Sequence, residues 1–118
     1  MAYDEYLAEK MSQSLQQRGA SFEAKKMMGG IAFMVNEKMC IGLNRDKATG
    51  KERLMVRVGE EAQEMCMKRT GCRAMDFTGR PMKGFVHVDP EGFDQQEDWD
   101  FWVETALRYN PLAKKSKK

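Results

Sequence analysis

The chain has 118 residues, which is enough for one domain that buries roughly two thirds of the surface exposed by its unfolded form. Its 20 basic residues slightly outnumber its 18 acidic residues. Four of those bases are lysines at the C-terminal end, so residues 1–113 carry 16 basic against 18 acidic groups, a net charge of −2. The body of the protein is therefore not generically basic.

The sequence also lacks the features of membrane and exported proteins. Its longest unbroken apolar run is Ile31 to Val35, whereas a membrane-spanning helix requires about 18 apolar residues. Asp4 and Glu5 stand where an export signal would have basic and then apolar residues. Three cysteines without a paired spacing indicate reduced thiols. We therefore expect a cytoplasmic protein without membrane contacts.

Charge is distributed unevenly along the chain. The stretch from Asp89 to Glu104 has seven acids and no base. Another region is rich in bases, and Asp76 is its only acid. The basic residues of that region are Lys68, Arg69, Arg73, Arg80 and Lys83. This clustering predicts a local basic patch.

The first part of the chain predicts a helix and then a strand. Tyr3, Leu7, Met11 and Leu15 recur at helical spacing, which indicates a helix over residues 4–18. A strand over 22–27 then runs into Gly29 and Gly30. The glycine pair is interpreted as a structural bulge or bend, the alternative being a close approach of the backbone to a ligand.

A hairpin is predicted at residues 31–43, around which the rest of the chain is arranged. Bulky residues alternate on both sides of a turn at 36–38, with Phe33 in the core. A two-residue loop would pair Val35 with Lys38, whereas a three-residue loop pairs Val35 with Met39. The three-residue loop is favoured because it also pairs Phe33 with Ile41 and Ile31 with Leu43, on one face of the sheet.

The middle of the chain predicts a loop, a strand, a helix and a second hairpin. The polar stretch 44–53 is interpreted as a long loop before a strand over 54–58. The second helix opens at Gly59 and ends near Gly71, and its inner face would carry Ala62, Met65, Cys66 and Arg69. Strands over 73–77 and 84–88 follow, joined by the exposed connection 78–83.

The third helix is predicted over residues 94–109. Asp94 and Glu97 have the spacing of a capping box. Apolar residues at helical intervals follow, and Trp99, Trp102 and Leu107 are expected to anchor the helix in the core. The acids of 94–104 should face outward. Residues 112–118 are expected to form a flexible basic tail behind a single domain spanning 1–111.

Together these elements predict an α+β fold of two layers. The order is α-β(3-4)-α-β(2)-α, so hairpins dominate and no strand-helix-strand series repeats. We expect a largely antiparallel sheet of five to six strands with the helices on one face.

The residues present show no catalytic or metal-binding arrangement. Cys66, Cys72 and His87 are types that zinc favours, but no two of them stand at C-x-x-C spacing. His87 is the only histidine, and Cys40 lies in an apolar run that predicts a buried, inert thiol. The eleven methionines are interpreted mainly as core residues, with an adaptable binding surface as the alternative. We predict no metal, no cofactor and no enzymatic activity.

Three stretches resemble a known family. They are Asp4-Glu5-Tyr6-Leu7, the segment Lys26 to Asn36 with its glycine pair followed by Leu54 to Gly59, and the run Met75-Asp76-Phe77-Thr78-Gly79-Arg80-Pro81-Met82-Lys83-Gly84-Phe85-Val86-His87-Val88-Asp89-Pro90. They resemble the N-terminal domain of the TfoX/Sxy family, and the likeness extends from about residue 3 to 109. The sequence departs from that family in its longer loop at 45–53 and in Glu37, where a hairpin glycine is more usual.

The resemblance implies a compact α+β domain. For the namesakes of the family it implies the regulation of competence genes together with a transcription activator of the cyclic-AMP receptor type. Those regulators continue into a second, helical domain that this sequence does not contain, so the resemblance is to a stand-alone N-terminal domain. No catalytic motif transfers with it.

The leading functional hypothesis is a cytoplasmic regulatory or protein-interaction module, monomeric or homodimeric, whose protein partner could be a transcription regulator. The alternative is direct nucleic-acid binding by the basic patch and the lysine tail, with a small-ligand protein or enzyme as a third class. The predicted binding residues centre on the exposed connection and its neighbours. They are Arg80, Lys83, Gly79, Arg73, Lys68 and Arg69.

Overall fold

The computed structural model describes residues 4–27, 30–46, 49–77 and 80–113, with the backbone alone at 27, 75–77 and 80–82. Helices and strands follow one another along the chain, from an N-terminal to a C-terminal helix. They are α1 (Glu5–Gln17), β1 (Phe22–Met27), β2 (Gly30–Val35), β3 (Lys38–Arg45), β4 (Glu52–Arg57), α2 (Glu60–Met67), β5 (Cys72–Phe77), β6 (Arg80–Val88) and α3 (Gln96–Tyr109), with short 3-10 helices at Pro90–Gly92 and Asn110–Leu112.

The six strands form one antiparallel sheet in the order β1-β2-β3-β4-β6-β5. The α1 helix begins where Asp4 accepts hydrogen bonds from the N–H groups of Tyr6 and Leu7. The two-layer α+β prediction is confirmed. Within the described residues, no helix combines the length and the apolar character needed to cross a bilayer.

The core lies between the helices and one face of the sheet, where alternate strand residues point inward. From the sheet it includes Ile31, Phe33, Ile41, Leu43, Leu54, Val56, Val86 and Val88. From the helices it includes Met11, Leu15, Cys66, Trp99, Trp102, Val103 and Ala106.

The two tryptophans of α3 are fully buried, as the helical spacing predicts. Each also satisfies its polar atom: the Trp99 indole donates to Ser14 Oγ at 2.9 Å, and the Trp102 indole donates to the Gly92 carbonyl at 2.9 Å. Leu107 is only half-buried at the edge of this core. The acids of 94–104 are exposed or partly exposed, which confirms their predicted placement at the surface.

The predicted capping box at the start of α3 is wrong. The helix begins at Gln96, and no side chain caps its first turn. Asp94 belongs to the turn before the helix, where its N–H donates to the Pro90 carbonyl at 2.9 Å. That turn is held in place because Trp102 binds the Gly92 carbonyl, so a tertiary contact overrides the local capping signal.

The turn of the β2–β3 hairpin is shorter than predicted. Val35 pairs with Lys38 across two residues, Asn36 at φ 56° and Glu37 at φ 64°, so the predicted three-residue loop is wrong. Positive φ at both positions characterises the tight turns that match strand twist. A register shift beyond Met39 then restores two predicted pairs, Phe33 with Ile41 and Ile31 with Leu43. The bulge at Cys40 absorbs the extra residue and keeps the large side chains in the core.

Strands β3 and β4 extend further into the predicted loop between them than the sequence indicated. The predicted loop 44–53 shrinks to 46–51, because β3 runs to Arg45 and β4 starts at Glu52. Their charged side chains form an ion pair across the ladder. Gly30 pairs with Asn44 in β3, and a Cβ there would lie 2.1 Å from the Leu43 carbonyl oxygen. Its role is therefore structural, whereas Gly29 lies outside the described residues.

The predicted connection 78–83 is largely strand. β6 starts at Arg80, and Pro81 pairs with Asp76 of β5. Proline is tolerated because β4 pairs with β6 only at 85–88, so the first part of β6 has one strand neighbour instead of two. The predicted six-residue connection is therefore wrong, and residues 78–79 lie outside the described part.

The α2 helix turns a slightly different face to the sheet from the predicted one. Cys66 is fully buried and Ala62 packs against the core, but Met65 is 59% exposed, so its predicted burial is wrong. Gln63 faces β6 instead, because its Oε1 accepts the N–H of Gly84 at 2.8 Å.

Replacing Trp102 by alanine is expected to destabilise the protein by about 3–5 kcal/mol, because the side chain fills a site with no exposed surface. Urea denaturation followed by circular dichroism measures this loss. Asp100→Ala serves as control: it removes a partly exposed ion pair with Arg18, which is worth about 1 kcal/mol or less. Equal losses in the two variants would contradict the proposed core.

A second comparison tests the hairpin turn. Glu37→Gly and Glu37→Ala both remove the side chain, but only glycine is relaxed at positive φ. The glycine variant should therefore be the more stable of the two by about 1–2 kcal/mol. Denaturation midpoints of the pair measure this difference, and an alanine variant of equal stability would show that residue 37 is not left-handed.

Candidate interaction surface

Arg69, one of the predicted binding residues, is engaged inside the protein. Its guanidinium lies 3.8 Å from the centre of the Phe101 ring and binds Asp98 at 3.0 Å. Both partners belong to α3, so Arg69 joins the C-terminal end of α2 to the N-terminal half of α3. A cation held over an aromatic ring and paired with a carboxylate is a poor candidate for binding phosphate.

Arg73 is engaged in a similar way. Its Nε and Nη2 donate to the two carboxylate oxygens of Asp89 at 3.0 and 2.8 Å. The hydrogen bonds from Arg73 lower the pKa of Asp89, and the same pair raises the pKa of Arg73. The acidic stretch 89–104 thus supplies carboxylate partners to two residues of the predicted basic patch, Arg69 and Arg73.

The remaining predicted binding residues do not form a single described surface. Arg73 pairs with His87 in the β5–β6 ladder, and the residues flanking His87 point into the core, so Arg73 lies on the sheet face away from the helices. Lys68 follows α2 in the helical layer, on the opposite side. Lys83 is exposed. Gly79 and the side chain of Arg80 lie outside the described part, so the predicted binding site stays a prediction.

The structure instead reveals a groove between the start of α2 and the end of α3. The cavity has a volume of about 540 Å³, within the range typical of binding sites. Its lining combines apolar, aromatic and charged side chains. They are Val58, Gly59, Glu60, Glu61, Ala62, Thr105, Arg108, Tyr109 and Leu112.

Backbone geometry at Gly59 shapes one wall of the groove. Gly59 has φ 89° and ψ 154°, a conformation that is essentially restricted to glycine. The Tyr109 ring occupies the space where a Cβ would stand, because its Cδ1 and Cε1 atoms would lie 2.6 Å from that atom. The N–H groups of Val58 and Gly59 both donate to the Gly84 carbonyl, at 2.8 and 3.0 Å. The start of α2, the end of α3 and β6 therefore meet at this glycine.

The two helices run in opposite directions along the groove. Its mouth lies beside Tyr109 and Leu112, whereas the Arg69–Phe101 contact joins the same helices further along. Ala62, Met65 and Arg69 recur at intervals of three and four residues, so Met65 lies on the α3-facing flank of α2 between the groove and that contact. Met65 is therefore an exposed apolar residue next to the groove, outside its lining.

Charges border this apolar lining. Glu60, Glu61 and Glu64 are exposed on α2, and within the described ranges none of them takes part in an ion pair. Arg108 is exposed on the α3 side. The groove can therefore bind an apolar group and hold charged groups at its rim.

The cysteines are poor candidates for nucleophilic chemistry. Burial raises the pKa of the Cys40 thiol to about 12, and burial, reinforced by the neighbouring Cys66, raises that of Cys72 to about 12. Burial also raises the pKa of Cys66. These thiols are protonated at neutral pH, and a protonated thiol is a weak nucleophile. Among residues 4–27, 30–46, 49–77 and 80–113, no group of three His, Cys, Asp or Glu side chains could hold a metal ion.

Sequence reasoning did not anticipate the groove. It identified Gly59 and Glu60 only as the start of a helix, and it gave Thr105 and Tyr109 no functional role. The contact between Gly59 and Tyr109 joins residues 50 positions apart, and helical periodicity does not report contacts of that kind. The only local signal is Leu112, an apolar residue that follows the helix-ending Pro111.

Substituting Gly59 by alanine is expected to destabilise the protein by more than the ~1–3 kcal/mol of backbone strain alone, because the new methyl also displaces the Tyr109 ring. Gly19→Ala is the matched control: Gly19 also has positive φ, at 76°, but no atom lies within 4 Å of its hypothetical Cβ. Denaturant titration of both variants measures the difference. Equal losses would show that Tyr109 does not pack on Gly59.

Comparison with known proteins identifies the family to which the chain belongs. A crystal structure of a protein from Pseudomonas syringae, a target of the Northeast Structural Genomics Consortium, superimposes with a TM-score of 0.63 at 12% sequence identity and covers 87% of this chain and 97% of that chain. At this identity the likeness shows a shared fold. The comparison with curated proteins gives no significant match. The sequence profile of the TfoX N-terminal domain matches residues 13–109. Because that match covers well over half of the chain, the protein belongs to the TfoX N-terminal domain family.

Proposed function

We propose that this domain is a regulatory protein-interaction module that binds a partner protein in the groove between α2 and α3. The observation that carries the proposal is the position of the exposed apolar side chains. In the described part of the chain, the large hydrophobic residues at the surface are Tyr6, Met65, Met67 and Leu112, and the last three belong to α2 or to the mouth of the groove. Leu112 is the one that lines the groove itself, and an apolar side chain exposed at the mouth of a groove is typical of an interaction site.

The construction of the groove supports the proposal. Val58 and Thr105 are buried in its lining and Tyr109 is packed against Gly59, so the site exists before a partner arrives. A preformed site reduces the ordering cost of binding. Leu112, by contrast, is 75% exposed and gains most from being covered.

The regulatory part of the proposal rests on the family. The resemblance implies, for the namesakes of the family, action together with a transcription activator. We propose the same kind of role for this domain, which belongs to that family and whose described residues show no catalytic arrangement. A transcription regulator is therefore the class of partner we propose to test first. The three free cysteines support a reducing compartment, and we propose the cytoplasm.

Direct nucleic-acid binding by the predicted basic residues is the weaker alternative. Asp98 and Asp89 already bind two of those residues, Arg69 and Arg73. Contact with phosphate would have to break both pairs, which offsets much of the electrostatic gain. Lys68 and Lys83 are exposed and remain the described residues to test for this function.

Site-specific photocrosslinking tests the proposed surface. A photoreactive phenylalanine analogue at position 112 should form one dominant adduct with a partner protein in the native cell, identified by mass spectrometry. Position 6 is the matched control, because Tyr6 is 73% exposed and Leu112 is 75% exposed. Tyr6 belongs to α1, and the groove lining does not include it.

A substitution that fills the groove completes the test. Ala62→Arg should remove the adduct at position 112, because a long side chain would occupy the lining while its charge reaches solvent. The thermal midpoint of this variant must first show that it is folded. Equal adducts from positions 6 and 112, or an adduct that survives Ala62→Arg, would contradict the groove as the interaction site.

A further inference from the structure

We infer that the groove receives a basic amphipathic helix of the partner protein, with apolar anchors on one face bordered by Lys or Arg. This inference rests on the proposed function and adds the chemistry of the partner. It is drawn from the charges that surround the groove, the apolar residues between them and the kind of backbone that its walls can accept.

The carboxylates of α2 differ from those of α3 in the ion pairs that they form with described residues. On α3, Asp98 binds Arg69, whereas Asp100 and Glu104 share Arg18. On α2, Glu60, Glu61 and Glu64 are exposed, and none of them enters an ion pair in the part of the chain that the structure describes.

These acids border apolar groups that are also exposed. Glu61 lines the groove beside Ala62, and Met65 follows Glu61 at i+4 on the same flank of α2. Leu112 stands at the mouth of the groove. A partner that covers Met65 and Leu112 must therefore place other groups close to carboxylates that form no ion pair with any described residue.

The opposite rim contributes a single cation among its lining residues, Arg108. Among the described residues, the lining thus carries two carboxylates, Glu60 and Glu61, and one guanidinium, and the exposed carboxylate of Glu64 follows on α2, so the charge of this side of the groove is negative. A partner with acids at its edges would face repulsion along α2, whereas lysine or arginine there would complete ion pairs. Charge complementarity therefore selects a basic segment.

The walls of the groove also favour a helical over an extended conformation of the bound segment. Both are helices, whose backbone groups bond within the helix, so the groove presents side chains and no sheet edge along its length. An extended peptide would find no ladder of partners for its N–H and C=O groups, whereas a helix satisfies its own. Met65 adds a flexible, polarizable contact that adapts to the apolar face of such a helix.

The inference can be tested with defined peptides on the full-length chain. The probe is a fluorescent amphipathic peptide of about 18 residues, five helical turns, with leucines at helical spacing and lysines on the flanking positions. A second peptide is identical except that glutamates replace those lysines. Fluorescence anisotropy at low salt should show at least about tenfold tighter binding of the lysine peptide, and its affinity should fall as salt is added.

Two variants locate the interaction. The combined change Glu60→Gln, Glu61→Gln and Glu64→Gln should weaken binding of the lysine peptide about tenfold while leaving the thermal midpoint almost unchanged, because all three groups are exposed. Glu97→Gln is the matched control, an exposed acid in the first turn of α3, and should leave binding unchanged. Leu112→Ala should weaken binding of both peptides, because it removes an apolar contact and no charge.

Each result decides between the two proposals. Tighter binding of the glutamate peptide, or a lysine peptide unaffected by the triple substitution, would overturn the inference about charge. The proposed function would still stand if the adduct at position 112 formed and disappeared with Ala62→Arg. If that adduct does not form, the proposed function fails, whatever the peptides show. The lysine and glutamate peptides are both compared on the unsubstituted protein. The conclusion about charge therefore does not depend on the folding of a variant.

Discussion

Trp99 and Trp102 fill the space between α3 and the sheet, and the position of α3 sets most of the remaining structure. Hydrogen bonds hold the helix along its length: Trp99 binds α1, Trp102 binds the turn before α3, and the Asn110 amide donates to the Val35 carbonyl at 3.0 Å. Asn36 in turn donates to Asn110 at 2.7 Å. Buried polar atoms that lack partners are costly, so these bonds select one position of the helix where apolar packing alone would allow several.

The position of α3 also determines which charged side chains form ion pairs. Its acids face the basic residues of other elements, so Arg18 and Arg69 bind α3 carboxylates, and Arg73 binds Asp89 just before the helix. The α2 helix lies beside α3 but offers its own carboxylates to solvent. The exposed acids Glu60 and Glu61 consequently lie in the helical layer, in the lining of the groove.

The groove follows from the same packing. Gly59 allows the chain to turn from β4 into α2 beneath the Tyr109 ring, and Gln63 secures α2 on β6 through Gly84. Leu112 remains exposed at the mouth of this groove.

The sequence by itself determined the helices, the strands, the two-layer fold and the burial of Trp99 and Trp102, because hydrophobic periodicity directly reports which face of an element must be covered. It also indicated the family. Only the tertiary structure decided the two-residue turn at Asn36 and Glu37, the strand start at Arg80, the exposure of Met65 and the pairing of Arg69 and Arg73 with distant acids. Each of these depends on partners remote in sequence, such as Asn110 for the turn and Asp98 for Arg69. The groove belongs to the same class, since its walls come from residues 58–62 and 105–112, and a local pattern contains no information about which separate segments will lie side by side.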